Sequence, residues 1–121
     1  MTYYSEETTN THVIRLVEGR FYTAQDLEGK RIIVVSGNHT IPNCEKTKNI
    51  SLEAEGVSLS LPNCKETGCI ILRAEGASLD LPNCEKTGDI FLKAEGVSLD
   101  LPNCKRTGYI SLKTKGVSLG L

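Results

Sequence analysis

The chain has 121 residues, 14 basic against 15 acidic side chains for a net charge of −1, and no tryptophan. A charge so near zero leaves no field to steer nucleic acid or an anionic membrane surface, and the longest apolar runs fall far short of the ~20 residues a membrane helix needs. At this length one domain is expected, and with aromatics at 5% its core must be aliphatic.

In chain order, MTYYSEETTN has no basic n-region and no apolar h-region. It does not read as a secretory signal, and a cytoplasmic setting follows as the expectation. Residues 1–29 differ from everything after them and read as a cap segment. Within it THVIRLVEGRFY predicts one or two strands, and TAQDLEGK predicts a turn or a single helical turn. RIIVV then reads as a strand, with Ile32 and Val34 placed in phase with Leu52 and Ala54.

From about Gly37 to Leu121 the chain repeats itself every 20 residues; residues 77–96 and 97–116 agree at 13 of 20 positions. Each copy holds two alternating segments. One is I-x-L-x-A, as in Ile70, Leu72 and Ala74; the other is V-x-L-x-L, as in Val97, Leu99 and Leu101. Alternation with period two means a strand with one face buried. Breakers fall between the strands: Gly56, Gly76, Gly96 and Gly116 at one corner, Pro-Asn at 42–43, 62–63, 82–83 and 102–103 at a second, Thr-Gly at 67–68, 87–88 and 107–108 at a third.

Two short strands and three corners in a constant 20 residues predict one coil of an all-β, parallel β-solenoid (β-helix) spanning residues 30–121. Its coils stack in register ~4.8 Å apart, and the crossover rule makes the coil right-handed. The rival is a leucine-rich repeat, L-x-x-L-x-L-x-x-N/C. Aligning Leu79, Leu81 and Cys84 to it puts Gly76 where the first leucine belongs, and leaves the second alternating segment unexplained.

In such a stack residue i lies on residue i+20, so each position becomes a column. Glu45, Lys65, Glu85 and Lys105 alternate in sign, and their neighbours Lys46, Glu66 and Lys86 alternate out of phase until Arg106 repeats the sign of Lys86. A slip of one coil would set like on like, so this pattern guards register. Asn43, Asn63, Asn83 and Asn103 predict a ladder of stacked amides. Cys44, Cys64, Cys84 and Cys104 also stack, but four sulfurs strung over roughly 14 Å cannot share one tetrahedral zinc ion. They read as free thiols filling a corner. His12 and His39 sit in no metal or catalytic motif, and His39 takes the inward place of later leucines.

One outward column reads Ser51, Ile71, Phe91, Ser111, with Cys69 and Tyr109 beside it. Cys69, Ile71, Phe91 and Tyr109 are the candidate protein interface, and Cys69 the candidate reactive thiol. At the other end VSLGL stops partway through a fifth copy, without a cap. Ile110, Leu112, Val117, Leu119 and Leu121 would face solvent there, and pairing with the same rung of a second molecule would cover them as a two-fold homodimer.

No P-loop, G-x-G-x-x-G, G-x-S-x-G, H-E-x-x-H or calcium-binding G-G-x-G-x-D occurs, so no cofactor, metal or catalytic residue is assigned. The stacked Asp80 and Asp100 are weak evidence for acid–base work, because a solenoid repeats its positions by construction. The Ser58, Ser78, Ser98 and Ser118 column lacks the T-x-T ladder of ice-binding solenoids. With the repeat LPNC-x-x-TG-x-I-x-L-x-AEG in view, residues 30–121 resemble, in architecture, bactofilin-like assembly proteins and the β-helical domain of division-site regulators. With no catalytic motif in the chain, the expected function is a non-enzymatic interaction or assembly protein, working as a rigid homodimer that presents a flat face. The alternative is a phage or mobile-element inhibitor of a host defence nuclease, anti-CRISPR-like, acting by protein contact.

Overall fold

The computed structural model describes residues 12–121, so the expectation made of MTYYSEETTN lies outside the described residues. Eleven short strands and one four-residue helix follow in the order β1 (Val13–Leu16), α1 (Ala24–Leu27), β2 (Arg31–Val34), β3 (Asn38–Thr40), β4 (Asn49–Leu52), β5 (Ser58–Ser60), β6 (Ile70–Leu72), β7 (Ser78–Asp80), β8 (Ile90–Leu92), β9 (Ser98–Asp100), β10 (Ile110–Leu112) and β11 (Ser118–Gly120). The alternating segments do become strands. They stack as two parallel sheets, a six-stranded β1-β2-β4-β6-β8-β10 and a five-stranded β3-β5-β7-β9-β11. This is the β-solenoid that the period predicts.

The expected stacking holds from β3 onward: Leu72 lies on Leu92, and Leu79 on Leu99. Two local details differ from the expectation. The strands are three or four residues long rather than five, because the chain already bends at Ala54–Gly56, and Pro62 has no N–H to give a ladder. The third side, read as a pair of corners, is itself a wall. Lys46, Glu66, Lys86 and Arg106 form parallel bridges one above another, and Lys65, Glu85 and Lys105 each donate a backbone N–H to the rung before. The two charge columns therefore stack on a third hydrogen-bonded face, alternating in sign except where Arg106 lies on Lys86.

The core is a set of inward columns. Ile50, Ile70 and Ile90 stack beside Leu52, Leu72 and Leu92, facing Leu59, Leu79 and Leu99, with Leu61, Leu81 and Leu101 at the corner, all essentially inaccessible to water. Burying each such side chain contributes about 1.5–3 kcal/mol. Among them runs one polar column, buried Thr47, Thr67 and Thr87. The Thr47 hydroxyl donates to Thr67 Oγ1 at 2.6 Å, and the Thr87 hydroxyl to the Gly88 carbonyl at 3.1 Å. The cost of burying each hydroxyl is thus offset by a bond.

The glycines divide by physical cause. Gly56, Gly76, Gly96 and Gly116 have φ near +70°, a left-handed turn as expected. The Thr-Gly glycines are not in that conformation. A Cβ on Gly88 would stand 2.9 Å from the Gly68 carbonyl carbon and 3.1 Å from the Cys69 nitrogen. There glycine is needed because two backbones touch. The asparagine ladder also takes another form than stacked amides. Asn83 and Asn103 donate from Nδ2 to the carbonyls of Pro62 and Pro82 at 2.7 and 2.6 Å, and Asn63 Oδ1 accepts the Asn43 N–H at 2.8 Å. Each of these amides bonds the backbone of the rung before it at the Pro-Asn turn.

The first rungs step by 18 residues, not 20. β1 pairs with β2 (Ile14 on Ile32), and β2 with β4, so Ile32 meets Ile50 and Val34 meets Leu52. For the step from β2 to β4 the cause is a shorter corner, residues 35–37, where later coils use 53–57. Between β1 and β2 the chain runs beneath β3. Tyr22 sets its ring edge-on to His39, 5.6 Å between centroids, and α1 buries Leu27. The helical turn expected in TAQDLEGK is thus α1. Its first turn is closed by the Thr23 N–H, which donates to Asp26 Oδ2 at 2.8 Å and holds that carboxyl below its ordinary range.

Candidate functional site: the outer face and the last rung

On the outer face of the six-stranded sheet, ladder partners form one column: Arg15, Ile33, Ser51, Ile71, Phe91, Ser111. Ile71 and Phe91 are direct neighbours, both half-buried. Cys69 is a half-buried free thiol whose N–H donates to Asn49 Oδ1 at 2.8 Å. Tyr109 stands 70% exposed, with its N–H held by Asp89 Oδ1 at 2.8 Å. It shares the Cys69 column but is parted from it by Asp89. The four expected residues therefore share one face, and Ile71 with Phe91 are the pair in contact register.

Ile33 was not among the residues expected here. The 20-residue phase places it opposite Glu53; the 18-residue step brings it onto Ser51 instead. Ser51 is a small residue between two isoleucines, 9% exposed, with its hydroxyl bonded to Glu53. It leaves a hollow of about 350 Å³ lined by Ile33, Asn49, Cys69, Ile71, Arg31 and Arg73. Beyond Phe91 the Lys93 Nζ lies 5.6 Å from the ring centroid, a cation–π contact that keeps one face of the ring covered.

The groups that could do chemistry are dispersed. Cys44, Cys64 and Cys84 are buried free thiols, and burial, with Glu28 nearby, pushes the Cys44 thiol up to about 12. Each column thiol points to the carbonyl two residues on, as Cys84 Sγ does to Lys86 at 3.4 Å. They serve as packing. Among the described residues no three His, Cys, Asp or Glu side chains converge as a metal site. His39 Nε2 lies 2.8 Å from the Ser36 carbonyl, and the residue is half-buried near the cap.

Asp80 and Asp100 do stack. Burial first, and the Asp100 carboxylate second, hold the Asp80 carboxyl above the ordinary carboxylate range. A raised carboxyl binds more protons folded than unfolded, so stability falls as pH rises from 3.8 through the folded value. Asp80→Asn should therefore raise the melting temperature at pH 7 by about one or two degrees, a small gain because water screens the pair. The gain should vanish in melts taken below pH 3.8.

The last rung is the second surface. Ile110, Val117 and Leu119 are half-buried there, while Leu112 is 53% and Leu121 64% exposed; their equivalents Leu92 and Leu101 are sealed. Among the described residues no helix is long and apolar enough to cross a membrane. No family model, curated protein or solved structure matches the chain.

Proposed function

We propose that the chain is a non-enzymatic protein-interaction module: a rigid rod that offers the outer face of its six-stranded sheet to a protein partner in the cytoplasm. The observation that carries this reading is the apolar column Ile33, Ile71 and Phe91, with the Ser51 hollow within it, on a sheet face over which no other strand or helix of the described residues is laid. Contiguous apolar surface of this kind marks interfaces. Cys69 and Tyr109 flank the contact. Association through the last rung is the second half of the reading, since another rung stacked on Leu112 and Leu121 removes them from water, and a second copy of the chain is one such rung.

The test is Phe91→Asp in affinity capture from the cells the protein comes from. The wild-type chain should retain a partner that the variant loses, while the two melt alike, because Phe91 lies outside the core. Undiminished capture by the variant rules this face out.

A further inference from the structure

The two outward sheet faces differ in chemistry. On the five-stranded sheet the outward residues run Ser58, Ser60, Ser78, Asp80, Ser98 and Asp100, with no cation among them. The six-stranded sheet sets Arg15, Arg31, Arg73 and Lys93 around its apolar column, against Glu53 and Asp89. The net charge of −1 for the whole chain therefore conceals a basic face.

Charge and shape meet at the Ser51 hollow of about 350 Å³. Ile33 and Ile71 wall it from the rungs on either side, and the exposed Arg31 and Arg73 stand on its rim. Arg31 lies on the rung before Ser51, opposite Asn49; Arg73 follows Ile71 on the rung after. With ~3.3 Å per residue along a strand and ~4.8 Å between strands, the two arginines flank Ser51 on opposite diagonals, each roughly 8 Å away between Cα atoms. An extended chain sends residues i−2, i and i+2 to one side, ~6.6 Å apart. An apolar side chain at i then enters the hollow while carboxylates at i−2 and i+2 reach the guanidinium groups, which hold carboxylates bidentately. Nucleic acid fits this face less well. Bases stack on aromatic rings, whereas the hollow is walled by isoleucines and Lys93 already lies over Phe91.

We infer that the hollow is a docking site for an extended acidic segment of a partner protein, with an apolar anchor residue two positions from a carboxylate on each side. This rests on the interaction-module reading and names the chemistry of its partner.

The probe is the peptide acetyl-GSESLSESG-amide, titrated into the nitrogen-15-labelled full chain at low salt. One control has glutamine for both glutamates, the other serine for the leucine. The acidic peptide should move the amide resonances of Ile33, Ser51, Cys69 and Ile71 at millimolar concentration, and saturate them at a concentration at least fivefold lower than either control. Added salt should weaken it. Arg31→Glu/Arg73→Glu and Ser51→Leu, each first shown folded by circular dichroism, should weaken it at least fivefold. Equal titrations with the glutamine peptide, or no movement at those amides, overturn this inference alone, because capture with Phe91→Asp judges the interface reading separately. Three other occupants would also overturn it. A deoxythymidine oligonucleotide that moves the same amides at lower concentration than the peptide makes the ligand nucleic acid. Light scattering that finds a dimer dissolved by Arg31→Glu/Arg73→Glu makes it a second copy. Movement of those amides in the free chain by Glu6→Lys/Glu7→Lys makes it the chain's own acidic residues.

Discussion

Gly88→Ala is expected to destabilise the protein by about 3 kcal/mol, the upper part of the usual range for overpacking. At this chain length that lowers the melting temperature by roughly ten degrees. The new methyl carbon would sit 2.9 and 3.1 Å from backbone atoms of the rung beneath. Backbone cannot swing aside as a side chain can. Nor can the rungs part, because the Gly88 N–H donates to the Gly68 carbonyl and its own carbonyl accepts the Gly108 N–H, both at 3.0 Å. Gly76→Ala is the comparison. Its φ of +71° strains any L-residue, but the nearest atoms to an added Cβ lie 3.8 Å away, so only the conformational cost of about 1–2 kcal/mol applies. Melts of both variants by far-ultraviolet circular dichroism decide it. If Gly88→Ala proves the milder of the two, the close approach of the rungs is wrong.

Leu72→Ala is expected to cost about 3 kcal/mol. Leu72 is fully buried and lies in register between Leu52 and Leu92, so truncation opens a void that rungs locked above and below cannot close. Leu112→Ala removes the same atoms from the same column, but there the side chain is 53% exposed and has a neighbour on one side only, so its cost should stay below about 1 kcal/mol. Equal losses from the two in chemical denaturation would show that the columns do not end at the last rung as described.

Much of this was legible in the sequence because a solenoid turns sequence spacing directly into spatial stacking. Ile70, Leu72 and their equivalents announce the inner face by alternation, and Ile71 and Phe91 announce the outer one, since the residue between two buried positions in a strand must point outward. The charge pairs at 45–46, 65–66 and 85–86, which swap sign from coil to coil, were equally plain. What was hidden depended on single local lengths. Residues 35–37 make a corner two shorter than its successors, and that alone moves Ile33 from opposite Glu53 onto Ser51 and into the candidate interface. No repeat unit exists at that point to reveal the shift, because periodicity is legible only where two copies can be compared. The role of the Thr-Gly pairs was hidden for another reason. A glycine required by left-handed φ and one required by a touching backbone are the same letter, and only the distance across the rungs tells them apart.

The sequence by itself determined the stack: a 20-residue period, parallel in-register strands, and which residues share each column. That follows because burial and alternation are local and repeat in every copy. The tertiary structure alone decided the third hydrogen-bonded wall, the buried threonine column and the 18-residue step beneath it. Those depend on how the chain closes around its axis and on what each rung finds above it, and neither is written in any single repeat.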